Sequence, residues 1–249
     1  MKISIKTAAE IEKMRRAGKI LQKVQKILKK NICAGISILE LDAIAEKKIL
    51  ENGATPGFKN FHGFPGTICA MINSEVVHAI PTKKILRDGD LLSVDCGVKF
   101  DGYFADAAFS IVVGGDEKNP ARAKFSRTVF EALQCGCEKA IAGNFVGDIG
   151  HAIEKKIHAA GFAICREYTG HGLGKNLHEN PTVFNFGRPG TGPQLKSGMT
   201  LAIEPIISAG SSRTRTAADN WTVTTADGAD ACQWEFCGVV REKKFEIFA

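Results

Sequence analysis

LRDGDLLSVD (residues 86–95) and LKSGMTLAIE (residues 195–204) are nearly equivalent stretches that lie 109 positions apart. Each begins with a basic turn that contains glycine and continues as an apolar strand, and each ends in a carboxylate, Asp95 in the first copy and Glu204 in the second. Burying an ionised carboxylate costs several kcal/mol unless a partner or a cation compensates its charge. Two acids at equivalent positions therefore predict one shared cation site.

The equivalence extends upstream of both stretches. ICAGISILELDAIAEKKILENGA (residues 32–54) aligns with AIAGNFVGDIGHAIEKKIHAAGF (residues 140–162) at an offset of 108, so that Gly35 falls on Gly143. Solenoid repeats are shorter, roughly 20 to 50 residues. Two segments that each run from a helix to a strand can also resemble each other through composition alone. The offset, however, stays at 108 to 109 in both segments, which composition would not require. This favours a chain of two duplicated halves.

Length and composition are typical of one globular domain. With 249 residues and 44% hydrophobic content, the chain can bury a full core, and we expect a single domain over 1–249 with halves of roughly 1–115 and 116–249. An apolar run near 18 residues is missing, and the N-terminal stretch lacks the apolar core of a secretory signal. The eight cysteines have no CxxC spacing, which favours free thiols. We therefore expect a cytoplasmic protein.

The formal charge of +6 is concentrated near the N-terminus. Residues 6–30 contain nine Lys or Arg residues and only two acids, Glu10 and Glu12. Such a segment is usually the solvated face of a helix. It could instead contact RNA phosphates, as a transient contact with the ribosome would require, or an anionic membrane surface. The sequence leaves these alternatives open.

Capping residues and periodicity predict four helices. Capping boxes at Thr7 with Glu10 and at Ser37 with Glu40 begin the first two, which end near residue 30 and at Gly53. The third begins at 119–120 and runs towards residue 143, and the fourth spans roughly 147–160. Apolar runs predict strands at 67–73, 91–98, 103–113, 199–208, 221–225 and 231–240. Helices followed by strands in each half predict an α+β fold with a central antiparallel sheet covered by helices.

A second acid follows the first in each half: Asp106 after Asp95, and Glu235 after Glu204, both within apolar runs. His171 adds an imidazole in GHGLG, where glycines allow a sharp turn. Taken singly, each residue has an ordinary explanation, such as a turn acid, an ion pair or a loop histidine. Together, four carboxylates and one imidazole suit Mn, Fe or Co better than a structural zinc. Bridging carboxylates can hold two ions that generate hydroxide, so we expect metal-assisted hydrolysis.

Seven motifs carry a family resemblance: HAIP (78–81), SVDCGV (93–98), DGYFAD (101–106), REYTGHGLG (166–174), LHENP (177–181), GMTLAIEP (198–205) and QWE (233–235). In these motifs, and over essentially its whole length, the chain resembles the bacterial type I methionine aminopeptidases. The resemblance implies the pita-bread fold, which has internal pseudo-two-fold symmetry. It also implies removal of the initiator methionine when the next residue is small. By that rule Lys2 is too large, and the chain should keep its own Met1.

The resemblance also implies the roles of the five ligands. Two divalent ions, cobalt, manganese or iron with zinc or nickel as alternatives, would be held with Asp95 chelating one ion and His171 and Glu204 serving the other. Asp106 and Glu235 would bridge the ions.

The same resemblance implies catalytic and substrate-binding residues. Hydroxide activated by the two ions would attack the methionine carbonyl while Glu204 shuttles the proton. His178 would stabilise the oxyanion, and His78 would lie near the scissile nitrogen and the second residue. Without the family, His78 would be taken for a core residue. The implied pocket for the methionine side chain consists of Phe58, Phe61, Phe64, Cys69, Leu177 and Trp221.

The chain departs from the family pattern at several positions. The family often has Tyr at positions 61 and 64 and Phe at position 177, so the affinity of the pocket should differ while its preference for methionine is kept. It commonly has His-Thr where this chain has Phe236 and Cys237, which removes hydrogen bonds that could tune metal affinity.

The implied partner is the N-terminus of a peptide or nascent protein that begins with methionine, bound by a monomer that contacts neither DNA nor membrane. Three other kinds of protein share parts of this pattern. An aminopeptidase P or prolidase shares the ligands but usually carries an extra N-terminal domain. A type II methionine aminopeptidase needs a helical insertion for which 249 residues leave little room. A metal-free binding module of the same fold would normally have lost ligands.

Overall fold

The computed structural model describes residues 3–249. Met1 and Lys2, and with them the prediction that Met1 is kept, lie outside the described residues. The four α-helices are α1 (Ala8–Asn31), α2 (Ile38–Glu51), α3 (Pro120–Lys139) and α4 (Val146–Ala159). All four predicted helices are thus present. None of the described helices is long and apolar enough to cross a membrane.

The strands are β1 (Thr55–Pro56), β2 (Ile68–Ile72), β3 (Glu75–Val77), β4 (Leu91–Phe100), β5 (Tyr103–Val112), β6 (Ala163–Ile164), β7 (Gly170–Gly172), β8 (Glu179–Val183), β9 (Thr200–Ile203), β10 (Ile206–Ser208), β11 (Thr214–Thr216), β12 (Val223–Thr225), β13 (Ala231–Gln233), β14 (Phe236–Val240) and β15 (Phe245–Ile247). They pair in four sheets, ordered β1-β4-β2 with β5 on β4, β13-β10-β6, β11-β12-β3 and β15-β14-β9-β7-β8. The predicted α+β class is confirmed.

Both predicted capping boxes are formed. The Thr7 backbone N–H donates to the Glu10 carboxylate at 2.9 Å, and the Thr7 hydroxyl accepts from the Glu10 backbone N–H at 3.3 Å. Ser37 and Glu40 make the same reciprocal pair. Each box satisfies backbone donors that a helix start otherwise leaves unpaired, which explains why these two helix starts were predictable.

The two halves have equivalent backbone geometry in the turns that precede α2 and α4. Gly35 has a φ of +96° and donates its N–H to Leu86, whereas Gly143 has a φ of +95° and donates to Leu195. The two hydrogen bonds measure 2.9 and 3.0 Å. A side chain at either glycine would be strained at that φ. The matching geometry explains why the duplication kept both glycines.

Each half buries the apolar faces of its own helices. One hydrophobic cluster joins α1 and α2 to β4 and β5, and it includes Met14 and Leu41. The second joins α3 and α4 to β9 and β10, and it includes Leu133 and Ile153. The partly buried Trp234 packs against both clusters. The halves therefore meet along a shared apolar boundary.

Two predicted strands are interrupted in the structure. The run 199–208 forms β9 and β10 with Glu204 and Pro205 between them, and the run 231–240 forms β13 and β14 with Trp234 and Glu235 between them. Pairing continues on both sides of the gap, β9 with β14 and β10 with β13. Pro205 has no N–H to donate to the ladder, which accounts for the interruption on its strand. In the first half, by contrast, β4 continues past Asp95, so the prediction that this strand ends in a carboxylate is wrong.

Candidate metal centre

The first pair of acids lies on the hairpin of β4 and β5. Asp95 on β4 is opposite Ala108 on β5, two residues from Asp106. Because side chains two residues apart on a strand share a face, Asp95 and Asp106 project to the same side of the sheet. Asp106 is 3% exposed. The hairpin therefore presents two carboxylates to one buried space.

The second pair of acids lies at the interruption between β9 and β10 and between β13 and β14. Freed from its own ladder, the Glu235 backbone N–H donates to the Ala108 carbonyl of the first half at 3.0 Å. The Gln233 side-chain amide donates to Glu204 at 3.2 Å. The interruption thus directs both glutamates towards the β4–β5 hairpin.

His171 on β7 completes the cluster. Its Nδ1 lies 2.9 Å from the Gly172 carbonyl, which can only accept, so Nδ1 carries the proton and Nε2 presents a lone pair. Nε2 lies 3.5 Å from Glu204 and 3.9 Å from Asp106. A lone pair that faces carboxylates is the arrangement of a metal ligand whose other ring nitrogen is anchored.

The polar atoms of this cluster fit a cation. Ligand atoms of Asp106, His171 and Glu235 all lie within 4.8 Å of one another. Asp95 Oδ1, Asp106 Oδ1 and Glu235 Oε1 are buried without a hydrogen-bond partner among the described residues. Buried polar atoms are normally paired, and a set of carboxylate oxygens with one imidazole suits hard divalent ions. The cluster therefore fits the metal site that the sequence predicts.

Burial and mutual repulsion perturb the acids. Burial raises the pKa of Asp95 to about 7. It also raises the pKa values of Asp106, Glu204 and Glu235 well above their ordinary range, and neighbouring carboxylate charges add to the effect. Burial lowers the pKa of His171 to about 3, with a smaller contribution from His178. A bound divalent cation would favour the ionised carboxylates and the neutral imidazole.

One cavity of about 180 Å³ unites the predicted site residues. It is lined by the five candidate ligands Asp95, Asp106, His171, Glu204 and Glu235, by His78 and His178, and by Phe58, Phe61, Phe64, Cys69, Leu177 and Trp221. The last six also belong to one hydrophobic cluster, with Phe64 and Trp221 in edge contact at 5.2 Å. The structure therefore brings an apolar cup directly beside the acid cluster.

The two further histidines lie at the rim of the cluster. The ring of His178 is 4.3 Å from the ring of His171 and 5.4 Å from that of Phe61. His78 has a φ of +58°, and its ring faces the edge of Tyr168 at 6.2 Å. Its side chain is exposed and not part of the core. Positive φ in a non-glycine residue beside a cavity is typical of a functional position.

Sequence reasoning missed two residues of the site. His62 lines the same cavity, and Gln233 lies 1% exposed against Glu204. Gln233 stands in the QWE motif two residues before Glu235, so its place in an apolar run was a usable signal. His62 follows Phe61 in a short turn and offered no comparable pattern.

The model of metallopeptidase family M24 matches residues 12–242. The match covers the acids, the histidines and both halves. The chain belongs to metallopeptidase family M24. Membership in this family implies the use of divalent metal, in agreement with the acid cluster.

Individual relatives and a solved structure make the similarity more specific. A methionine aminopeptidase of Clostridium perfringens is 44% identical over 233 residues, 94% of this chain and 93% of the relative. Methionine aminopeptidase 1 of Bacillus subtilis is 43% identical over 248 residues, 98% of each chain. The crystal structure of a methionine aminopeptidase from Thermotoga maritima superposes with a TM-score of 0.96 at 35% identity and covers 99% of both chains. The predicted resemblance and the predicted pita-bread fold are confirmed.

Proposed function

We propose that this M24 protein is a methionine aminopeptidase, a metal-dependent hydrolase that removes the N-terminal methionine from peptides and nascent proteins when the second residue is small. The observation that carries the proposal is the single cavity in which a buried acid cluster adjoins a closed apolar cup. The acids suit metal-assisted hydrolysis, and the cup suits an unbranched apolar side chain.

The division of labour among the ligands follows the family pattern. Asp95 would chelate one ion, His171 and Glu204 would hold the other, and Asp106 and Glu235 would bridge the two. Two divalent cations, when bound, polarise the substrate carbonyl and lower the pKa of a water molecule. Support for a bridging role is the burial of Asp106 and Glu235, each with an oxygen free of partners among the described residues.

Three side chains would handle the substrate and its protons. Glu204 would accept the proton of the attacking water, since Gln233 orients its carboxylate while Oε1 remains directed at His171. His178 would donate an N–H to the carbonyl oxygen as negative charge develops. His78 would lie near the scissile nitrogen and the second residue of the substrate.

The apolar cup would hold the methionine side chain. Its wall consists of Phe58, Phe61, Phe64, Cys69, Leu177 and Trp221. Thioether sulfur makes favourable contacts with aromatic edges, and four aromatic rings are present. Leu177, one of the positions where the chain departs from the family pattern, is 2% exposed, which supports its place in the wall of the cup.

The oxygen-rich donor set favours manganese, iron or cobalt as the working metal, with zinc and nickel as further options. Metal analysis of the purified protein after reconstitution tests the site. About two ions per chain are expected, and a chain without bound metal would support a binding module instead of an enzyme.

Peptide selectivity tests the reaction. Met-Ala-Ser, Met-Lys-Ser and Ala-Pro peptides are incubated with the metal-loaded protein, and released amino acids are quantified. Release from Met-Ala-Ser alone is expected. Cleavage of Ala-Pro would reassign the chain to the prolidase or aminopeptidase P group, and cleavage of Met-Lys-Ser would contradict the small-residue rule.

The chain is further proposed to act as one catalytic domain over residues 1–249, with halves of 1–115 and 116–249, and as a monomer. Support comes from Trp234, which packs against the hydrophobic clusters of both halves. Calorimetry of the metal-loaded protein should give a single unfolding transition, and light scattering should give the mass of one chain. Two separable transitions would contradict the single domain.

A transient ribosome contact in the cytoplasm is proposed for one face of α1. Many cations of the basic segment are engaged elsewhere, such as Arg15 with Glu246 and Lys13 with Asp101. Four exposed lysines make no ion pair with described residues and are spaced so that they follow one helical face: Lys19, Lys23, Lys26 and Lys30.

Salt-dependent co-sedimentation with ribosomes tests this contact. Replacing the four lysines with glutamine should abolish the sedimented fraction at low salt, because phosphate contacts dominate such binding. The matched control replaces four exposed lysines on the other helices, Lys47, Lys124, Lys139 and Lys155. Equal sedimentation of both variants would contradict the proposed ribosome contact. Binding to duplex DNA or anionic vesicles would contradict the expected absence of those partners.

A further inference from the structure

A partly buried ion pair lies beside the cavity. Lys6 Nζ and the Glu179 carboxylate are 2.6 Å apart, and their side chains are 5% and 15% exposed. Lys6 belongs to the segment before α1, whereas Glu179 begins β8 and directly follows His178. The pair therefore joins the N-terminal segment of the first half to the middle of the second half, directly beside a candidate catalytic residue.

Glu179 also closes a tight turn. Its second oxygen accepts from the Asn176 backbone N–H at 3.2 Å. The turn Asn176–Glu179, called the His178 turn below, contains only Leu177 and His178 between its ends. Leu177 forms part of the apolar cup and His178 lines the same cavity. One carboxylate thus fixes the backbone that carries two site residues.

Lys6 is itself held in place. Its backbone N–H donates to the Gly198 carbonyl at 2.9 Å, and its ammonium also contacts the Ser4 hydroxyl. A Cβ built on Gly174 would lie 2.4 Å from Lys6 Cε and 2.7 Å from Glu179 Oε1. The pair therefore packs directly on the Gly174 backbone. Lys6 does not line the catalytic cavity.

Stability alone does not account for this pair. Replacing a buried ion pair with apolar side chains is often neutral or stabilising, whereas removing one partner leaves an uncompensated charge. What the pair provides is a defined geometry, because a short hydrogen bond from the Lys6 ammonium at 2.6 Å and a longer one from the Asn176 backbone N–H at 3.2 Å together restrict Glu179 and hence the turn. A displacement of about 1 Å at a catalytic group can cost about 100-fold in rate.

We propose that Lys6 and Glu179 are positioning residues for the reaction, which hold the His178 turn so that His178 and Leu177 face the substrate. This inference rests on the proposed function, in which His178 donates to the substrate carbonyl. Neither residue of the pair would touch the substrate or the reacting atoms.

The test combines single and double variants with Met-Ala-Ser as substrate. Lys6→Met and Glu179→Gln are each expected to lower kcat about ten- to 100-fold with unchanged metal content. In a His178→Ala background, the same changes should lower kcat less than about twofold further, because residues that act through one group are not additive. Lys6→Arg, which keeps the charge, should restore part of kcat.

Lys13→Met serves as the control, since Lys13 pairs with Asp101 on the surface, and it should leave kcat unchanged. Glu179→Gln keeps the shape of the carboxylate and an acceptor for Asn176, so it guards against a folding failure of Lys6→Met. Undiminished kcat in the pair variants, or losses that multiply in full with His178→Ala, would overturn the positioning role. An inactive wild type would instead overturn the proposed function.

Discussion

The two halves of the molecule share a backbone plan but hold their acids in different ways. In the first half, Asp95 and Asp106 lie inside a continuous hairpin whose ten-residue strands pair along their full length. In the second half, Glu204 and Glu235 lie where the ladder is interrupted. The first pair is positioned by regular strand geometry, and the second by single contacts to Ala108 and Gln233.

The difference shows how a duplicated fold can build an asymmetric site. Matching glycines, Gly35 and Gly143, keep the same turn in both halves. At the ligands the halves differ, because the second ladder is interrupted there and His171 is added from β7. A half with a continuous ladder and a half with an interrupted ladder therefore meet at one cluster of ligands.

The largest expected effect comes from removing a charge in either half. Asp106→Asn and Glu235→Gln should each lower kcat/KM by more than about 100-fold, because changes that touch only ligand supports already cost about ten- to 100-fold. Steady-state kinetics and metal analysis measure both variants, with the exposed Asp116→Asn as control. A mild effect in one variant alone would contradict a bridging role for the residue changed in it.

Gln233→Leu tests the second half, in which the ladder is interrupted at the ligands. The change removes the amide that orients Glu204, so divalent metal affinity should fall about tenfold to 100-fold. Competition with a metallochromic chelator measures the affinity. Val98→Ala, a buried change on the β4–β5 hairpin whose side chain packs in the hydrophobic cluster of α1 and α2, provides the comparison and should leave affinity nearly unchanged. Equal losses would mean that both halves depend on single contacts.

Metal and pH should act together on stability. The pKa of Asp95 is raised from its ordinary 3.8 to about 7 in the folded chain, so the metal-free fold loses stability as pH rises from about 4 through about 7. The lowered pKa of His171 acts in the opposite direction. Thermal unfolding with EDTA or Mn²⁺ should therefore show a rise in Tm on metal addition that is several degrees larger at pH 7.5 than at pH 5.

Asp95→Asn isolates the contribution of one acid to this pH dependence. In EDTA, the variant should gain Tm relative to wild type as pH increases, since it has no charge to bury. A parallel pH dependence of the two proteins would contradict the raised pKa of Asp95.

Cys237→Thr is expected to have the smallest effect. The Cys237 sulfur accepts from the Asp106 backbone N–H at 3.4 Å, and a threonine hydroxyl is a stronger acceptor. Metal affinity should tighten by about threefold, within the range of one neutral hydrogen bond. Cys232→Thr, a buried cysteine on β13, is the control. A loss of affinity in Cys237→Thr would show that the departure from the family is itself required here.

Local signals explain which parts of the fold were predictable. Helix starts at Thr7 and Ser37 carry their own capping partners three residues away, so they could be recognised without the rest of the chain. Short strands such as β6 and β11 have two or three residues and no periodicity, and they exist only through pairing with distant segments. Pro205 signalled the interruption of its run, but the apolar residues around it dominated the prediction.

The site was predictable to the extent that chemistry is visible in residue type. Acids within apolar runs indicated a cation site, and the order of the ligands indicated the family. The apolar cup depended on the family pattern, because aromatic residues such as Phe58 and Phe64 are equally typical of a core. The contact of Lys6 with Glu179 joins residues 173 positions apart, and pairings of this kind leave no local trace.

The hydrogen bond from the Glu235 backbone to the Ala108 carbonyl joins the two halves at the metal ligands themselves. If warming separates the two halves at this contact first, the metal ligands would move apart while the helices of both halves are still folded. In the metal-free protein, the capacity to bind Mn²⁺ should then be lost on warming before the helical circular dichroism, whereas in the metal-loaded protein activity and circular dichroism should be lost together.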